Sequence, residues 1–144
     1  MALVERDGNV HSFPVERVTS ANIEPIVKEL VAEGTHVITD ISTALKFPGS
    51  EYRHDTVNDN EKEYSRKAAD GVTITTNTVE GYFAILKRGN YGIYHHWGKH
   101  YTDQYLREFD FRYNVRKMND DDRSDLALKK TEGKRLMLKS QKGP

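Results

Sequence analysis

The order in which strand-type and helix-type residues follow one another restricts the fold of this chain more than any other feature. Residues 2–6 and 10–18 are rich in strand-favouring residues and are joined through Asp7-Gly8, a dipeptide preferred in tight hairpin turns. Apolar residues then recur at helical spacing over residues 23–31. The chain is therefore predicted to begin with a β-hairpin that is followed by an amphipathic helix.

The rest of the chain continues this alternation. We predict strands at 35–39 and 52–57, a polar surface loop at 59–71, and helices from Asn77 to about Gly89 or Gly92 and over 99–116. Strands and helices in this order are typical of an α/β or α+β domain in which helices pack on a mixed sheet.

Composition limits the class of protein. With 144 residues, 36% of them hydrophobic, the chain is long enough for one domain with its own core. The absence of cysteine excludes disulfides and thiolate metal sites, so a metal ion would be held by carboxylate, imidazole or amide groups. The sequence also lacks an apolar run of about 18 residues. We therefore expect a soluble cytoplasmic protein with no membrane partner.

Charge gives less information. The formal net charge is zero, which argues neither for nor against a nucleic-acid partner. Six of the seven charged residues in 129–142 are basic, and two interpretations stay open, namely a solvated surface or contact with phosphates.

Two acidic residues are candidates for chemistry because of where the predicted elements place them. Asp40 follows a short apolar strand, and the carboxyl ends of strands are where open α/β sheets commonly bind ligands. Glu80 shares a helix face with Asn77, Ala84 and Lys87, because steps of three, four and seven residues nearly complete whole turns. On position alone, ordinary turn and surface roles are the simpler interpretation of both acidic residues.

Longer stretches of the sequence resemble one family. Residues 76–89, reading TNTVEGYFAILKRG, are similar to the helix that supplies the last catalytic glutamate in ISXO2-like transposases of bacterial insertion sequences. The similarity continues in several further segments, at 37–40, 52–54, 57–58, 92–96, 105–114 and 133–136. The colinear resemblance extends from residue 6 to about residue 116.

The resemblance implies a fold and a chemistry. The implied fold is ribonuclease-H-like, a mixed sheet flanked by helices, and the implied reaction is DNA cleavage and strand transfer assisted by two magnesium or manganese ions. Asp40 and Glu80 would be metal ligands, and Asn77 would orient the Glu80 carboxylate or a metal-bound water. Hard cations prefer such oxygen ligands, and a pair of them activates one oxygen while stabilising another. Lys87 and Arg88 are candidates for contacts with DNA phosphates or for ordinary surface charge.

The chain also departs from the family pattern. In the family, the first catalytic aspartate lies on an initial central strand, whereas Met1 stands here at the start of what resembles the second strand. We therefore expect a partial catalytic domain over residues 1–116, without that strand or its aspartate, and a charged extension over residues 117–144. Such a chain is expected to be inactive alone and less stable than the whole domain.

These expectations favour a fragment of a DDE-type transposase. It would act in the bacterial cytoplasm, at the nucleoid, with DNA as element end and target, and with itself or full-length transposase as a further partner. The alternative is a non-catalytic remnant that binds DNA or full-length transposase. A third possibility is a ribonuclease-H-like nuclease that uses another carboxylate, such as Glu5 or Glu16 on the hairpin.

Two other groups of residues are interpreted as structural. His95, His96 and His100 lie around one turn, and His96 and His100 have the spacing that puts two ligands on one helix face. No helix-borne glutamate stands between this pair and no third ligand accompanies it, which favours surface or packing roles over a zinc site. Aromatic residues at intervals of four from Tyr101 to Tyr113 predict core packing rather than a base-stacking surface.

Overall fold

The computed structural model of the chain describes residues 1–41, 51–58, 61 and 64–134. Helices and small sheets alternate in this part of the chain, which confirms the α+β prediction. The strands and helices are β1 (Ala2–Val4), β2 (Val10–Ser12), α1 (Ser20–Leu30), β3 (His36–Asp40), β4 (Arg53–Val57), β5 (Arg66–Lys67), β6 (Thr73–Ile74), α2 (Asn77–Arg88), a π-helix (Gly89–Ile93), a 3-10 helix (Lys99–Tyr101), α3 (Thr102–Asn114) and α4 (Asp120–Thr131).

The predicted hairpin is present but shorter than expected. β1 pairs antiparallel with β2, from Ala2 opposite Ser12 to Val4 opposite Val10. In the turn, Asp7 adopts the left-handed φ of 59°, a conformation that aspartate tolerates better than most residues. β2 ends at Ser12, and Pro14, which has no N–H to donate, follows two residues later.

α1 and the β3–β4 pair follow the hairpin. Ile23 and Val27 are fully buried along α1, as their spacing predicted, whereas Leu30 at the end of the same stripe is exposed. β3 and β4 are parallel and in register from His36 opposite Arg53 to Asp40 opposite Val57. Asp40 therefore lies at the carboxyl end of β3, where the sequence predicted it.

The prediction of a surface loop over residues 59–71 is wrong in part. β5 and β6 form a short antiparallel hairpin, whose turn contains Gly71 at a φ of 83° and a hydrogen bond from the Gly71 N–H to the Ala68 carbonyl of 2.9 Å. A strand of two residues is too short to show a period of two, so the sequence pattern contained no signal for it. Residues 59–60 and 62–63 of this segment lie outside the described residues.

The main core forms where the hairpin meets α2 and α3. It comprises five buried residues, Val10, Tyr82, Leu86, Leu106 and Phe109. Within the predicted aromatic stripe, Phe109 is buried while Tyr101 remains exposed, so core packing is correct only for the later part of α3. Phe83 on α2, another large apolar residue, is exposed as well.

A buried polar network joins three of these elements. The Asp110 carboxylate on α3 accepts hydrogen bonds from the Ser12 N–H at 2.8 Å, from the Ser12 hydroxyl at 2.7 Å and from the Tyr82 hydroxyl at 2.5 Å. Burial, together with the bond to Asp110, raises the pKa of Tyr82. β2, α2 and α3 are thus tied together by one satisfied carboxylate.

The described strands pair as three separate two-stranded sheets, β1–β2, β3–β4 and β5–β6. One mixed sheet, as the family resemblance implies, is not formed among these strands. Beyond residue 117 the chain forms α4, which the sequence analysis did not predict, and residues 135–144 lie outside the described part. Within that part no helix is both long enough and apolar enough to cross a bilayer.

Candidate functional site

A cavity of about 940 Å³, here called the groove, opens between the hairpin, α1, β3 and α2. All residues of β1 and β3 line the groove, whereas β2 contributes only Val10 and His11, and β4 contributes none. Within the described part of the chain, β1 pairs only with β2 and β3 only with β4. The second edges of β1 and β3, which pair with no described strand, therefore border the groove.

Apolar side chains from two helices complete the lining. Ile23, Val27 and Leu30 come from α1, and Val79 and Phe83 come from α2. Leu30 and Phe83, two large apolar residues, are exposed there. The groove is thus an apolar space bordered by polypeptide edges that present hydrogen-bonding groups.

Both predicted metal ligands lie on the wall of this groove. Asp40, the last residue of β3, is exposed, as is Glu80 in the first turn of α2. The Thr76 hydroxyl, which is itself buried, donates a hydrogen bond to Oε1 of Glu80. Two distant parts of the sequence therefore deliver carboxylates to one cavity, one of them held by a neighbouring hydroxyl.

The other predicted site residues lie on the same helix. Asn77, Glu80, Ala84 and Lys87 are all exposed, which confirms the predicted second face of α2. Asn77 does not line the groove, and among the described hydrogen bonds its side chain makes none to Glu80. Lys87 and Arg88 lie in the last turn of α2, beyond the groove.

The ligand types suit a hard cation. Mg²⁺ is usually bound by one or two carboxylates together with waters and substrate phosphates, and Asp40 and Glu80 offer two carboxylates on an accessible wall. Within the described residues, no group of three or more histidine, aspartate or glutamate side chains could hold a metal ion. The residue types therefore suit a hard cation that also takes oxygen atoms from a substrate.

The remaining candidates are distributed differently. Glu5, just after β1, lines the groove, whereas Glu16 does not. His95, His96 and His100 are all exposed. Only Glu5 among the alternative carboxylates is therefore near the same cavity.

Sequence reasoning missed a second polar cluster, which lies on the β3–β4 pair. Nε2 of His36 is 2.8 Å from Oδ2 of Asp55, and Arg66 reaches the other carboxylate oxygen at 3.1 Å. These partners, His36 foremost, hold the pKa of Asp55 below its ordinary value. The signal in the sequence was the pair of opposite charges Arg53 and Asp55 at alternate positions of a predicted strand, which places both side chains on one face of the sheet.

Comparison with known proteins gives one match. The family model described as the ISXO2-like transposase domain matches residues 1–114. No curated protein and no solved structure matches the chain.

Proposed function

Because the chain belongs to the ISXO2-like transposase family, whose domain spans residues 1–114, we propose that it provides catalytic-domain residues of a DDE-type transposase that cuts and joins insertion-sequence DNA. The observation that carries the proposal is the convergence of Asp40 and Glu80 on the wall of one groove. In this proposal the partners are DNA and a further transposase polypeptide.

Each residue has a specific role in this proposal. Asp40 and Glu80 hold magnesium or manganese through carboxylate oxygens, and Thr76 fixes the rotamer of Glu80 through its hydroxyl. The bound ion supplies Lewis-acid activation of the phosphodiester that is cut. Asn77, one helical turn before Glu80, is a positioning residue for substrate or water rather than for the carboxylate, because the described hydrogen bond to Glu80 comes from Thr76.

A second part of the proposal is that the groove holds a further β-strand. Adjacent strands lie about 4.8 Å apart, packed layers about 10 Å apart, and each strand residue spans about 3.3 Å, so a five-residue strand fills about 800 Å³. The groove, at about 940 Å³, has room for one such strand. A strand there would join the β1–β2 and β3–β4 pairs into a five-stranded mixed sheet of the ribonuclease-H-like kind.

The same strand would complete the site. A carboxylate on it near Asp40 would give three acidic ligands where the described residues give two. We infer that a chain of this sequence alone does not cut DNA. The proposed reaction needs a third ligand from a strand in the groove.

Metal binding tests the proposal directly. In a calorimetric titration with Mn²⁺, Asp40→Asn and Glu80→Gln should each weaken binding at least tenfold, because each removes a ligand. Glu132→Gln and Asp121→Asn, which alter exposed carboxylates away from the groove, should change the affinity less than twofold.

A double variant identifies whether the two carboxylates share one ion. Asp40→Asn with Glu80→Gln should weaken binding by a factor that differs from the product of the two single factors, because residues that act on one ligand are not additive. Effects no larger than those of the control variants would remove the support for the site.

A second candidate function is a non-catalytic one, in which the chain binds DNA or full-length transposase and modulates transposition. It is favoured by the observation that no group of three or more candidate ligands that could hold a metal ion occurs within the described residues. Cleavage of plasmid DNA with Mn²⁺ in the presence of a polypeptide that supplies a strand with an acidic residue separates the two functions, because only the catalytic one predicts cutting. Cutting by the chain alone that Asp40→Ala abolishes would contradict both the remnant and our inference that the site is incomplete.

A further inference from the structure

Asp40 is the last residue of β3, at the point where the pairing of the two parallel strands ends. In register it lies opposite Val57, the last residue of β4, and the residue after it, Ile41, forms no part of a strand. The end of a strand is held less firmly than its interior, because pairing continues on one side only. The direction of the Asp40 carboxylate therefore depends on what else holds the backbone there.

A short chain of hydrogen bonds holds the peptide that follows Asp40. The Thr39 hydroxyl donates a hydrogen bond of 2.8 Å to the main-chain carbonyl oxygen of Asp40. The same hydroxyl oxygen is 2.9 Å from Nε2 of His54 on β4. The chain thus runs from the imidazole through the hydroxyl to the carbonyl at the end of β3.

The direction of each bond in this chain follows from the protons that are present. A threonine hydroxyl has one proton and a carbonyl oxygen can only accept, so the hydroxyl proton points to Asp40. Nε2 of His54 must then donate to the Thr39 oxygen, which places a proton on this ring nitrogen. Burial, foremost, lowers the pKa of His54, so at neutral pH the ring is uncharged and carries its proton on Nε2.

The imidazole lies behind the site rather than in it. Neighbouring residues of a strand point to opposite faces, so Thr39 and Asp40 point to different sides of the β3–β4 pair. His54 lies opposite Val37 in register and therefore on the Thr39 side. Thr39 lines the groove and His54 does not. His54 can therefore act on the Asp40 carboxylate only through the threonine.

The other candidate ligand is restrained in a similar way. Thr76, directly before α2, donates its hydroxyl proton to Oε1 of Glu80. One threonine hydroxyl thus restrains each ligand, through the side chain at Glu80 and through the main chain at Asp40. Groups that orient a metal ligand from behind strongly affect metal affinity.

Resting on the proposed function, we propose that His54 is a positioning residue for the metal ligand Asp40 and acts through the hydroxyl of Thr39. The chain of hydrogen bonds restricts rotation of the peptide that follows Asp40, so the carboxylate starts from one backbone geometry. The imidazole neither binds the ion nor touches the substrate.

Titration with Mn²⁺, followed by the electron paramagnetic resonance signal of the free ion, tests the hydroxyl. Thr39→Val, which has nearly the same shape without the hydroxyl, should bind Mn²⁺ at least about fivefold more weakly, because a group that orients a ligand is lost. Thr39→Ser keeps the hydroxyl and should stay within about twofold of the wild type. Thr56→Val is the matched control, because Thr56 lies directly opposite Thr39 on β4 and its hydroxyl takes part in none of the described hydrogen bonds. It should match the wild type.

Two variants and one combination test the imidazole in the same titration. His54→Gln keeps an N–H donor of similar reach and should retain the affinity, whereas His54→Leu should weaken it as much as Thr39→Val does. In the Thr39→Val background, His54→Leu should cause no further loss, because the imidazole acts only through the hydroxyl. A residue that merely supported the fold would add a loss of its own. Urea denaturation verifies that each variant is folded.

Proton NMR without metal provides a readout that does not depend on the proposed function. The Nε2 proton of His54 should be visible at neutral pH in the wild type and in Thr39→Ser, because a hydrogen bond slows its exchange with water. It should disappear in Thr39→Val.

Three results would overturn this inference alone. These are Mn²⁺ binding that Asp40→Asn weakens and Thr39→Val does not, a further loss when His54→Leu is added to Thr39→Val, and an unchanged Nε2 proton signal in Thr39→Val. Absence of Mn²⁺ binding by the wild type would overturn the proposed function, and this inference with it, whatever the NMR signal shows.

Discussion

At Gly89, a missing side chain decides how closely two helices approach. Its φ of −61° and ψ of −50° are ordinary helical values, so the glycine is not needed for backbone freedom. Its role is steric, because a Cβ would lie 2.1 Å from Cζ of the buried Phe109 ring. α2 passes into the π-helix directly against α3 because no side chain intervenes.

We predict that Gly89→Ala lowers the free energy of unfolding by about 1–3 kcal/mol, as overpacked cores do. This steric cost outweighs the gain of about 1 kcal/mol that alanine has over glycine in helices. Gly92→Ala is the matched control, because a Cβ there meets no atom within 4 Å, and it should leave stability unchanged or raised. Urea denaturation measures both. Equal stability of the two variants would mean that Phe109 moves aside without cost.

The sequence predicted the roles of some residues and not those of others. Asp40 and Glu80 could be proposed because a strand end and a family-like motif are local features of the sequence. Asp110 could not, because an aspartate in a polar helix looks like a surface residue until Ser12 and Tyr82 are brought to it from far along the chain. Burial of this carboxylate depends on three elements meeting, which no local pattern encodes.

Elements long enough to show a period were predicted, and shorter or fully exposed elements were not. The twelve residues of α2 contain more than three turns, and both its buried and its exposed face were recognisable. α4 has the same length but no buried residue, so it has no apolar stripe. The signal that was available is its termini, since Asn119 caps the first turn, three aspartates follow and two lysines end the helix.

The β3–β4 pair should lose stability in acid through Asp55. Its folded-state pKa lies below the ordinary value of 3.8, first because of His36 and then because of Arg66. A depressed folded pKa contributes stability that is present above the unfolded pKa and is lost as pH falls through the folded one. The loss is therefore expected below about pH 4.

Asp55→Asn tests this expectation. The variant should be less stable than the wild type at pH 6, and its stability should fall less between pH 5 and pH 3, as measured by urea denaturation. Asp121→Asn, an exposed carboxylate on α4, is the control and should follow the wild-type pH profile. Parallel profiles for Asp55→Asn and the wild type would contradict a role of Asp55 in acid lability.

At the scale of the whole molecule, the net charge of zero conceals an uneven distribution. Acidic residues concentrate at the start of α4, whereas residues 81–102 contain none. The net charge therefore gave no indication of this distribution, and the pairing of α3 arginines with their own carboxylates had to be seen in the structure. Composition could not predict the groove either, because the groove depends on which strands pair and which stay apart.

The groove should accept a strand supplied as a peptide. A strand covered by helices is apolar throughout. A suitable peptide therefore has five or six valine, isoleucine and leucine residues with a lysine at each end. We predict that this peptide, at a concentration ten times its dissociation constant, raises the melting temperature of the protein by about 5 °C. The same peptide with a central proline cannot pair on both edges and should have no effect. Equal shifts with both peptides would indicate non-specific apolar binding instead.

The two strand edges that border the groove also determine how the molecule behaves in concentrated solution. Each presents backbone N–H and C=O groups to any extended chain that approaches, and β3 carries the β-branched residues Val37 and Ile38. A molecule in which the groove stays empty will recruit the edges of its neighbours. Where the edge of β1 in one molecule pairs with the edge of β3 in the next, the contact is heterologous, so we expect a growing aggregate rather than a defined oligomer, and occupation of the groove is then also a condition for solubility.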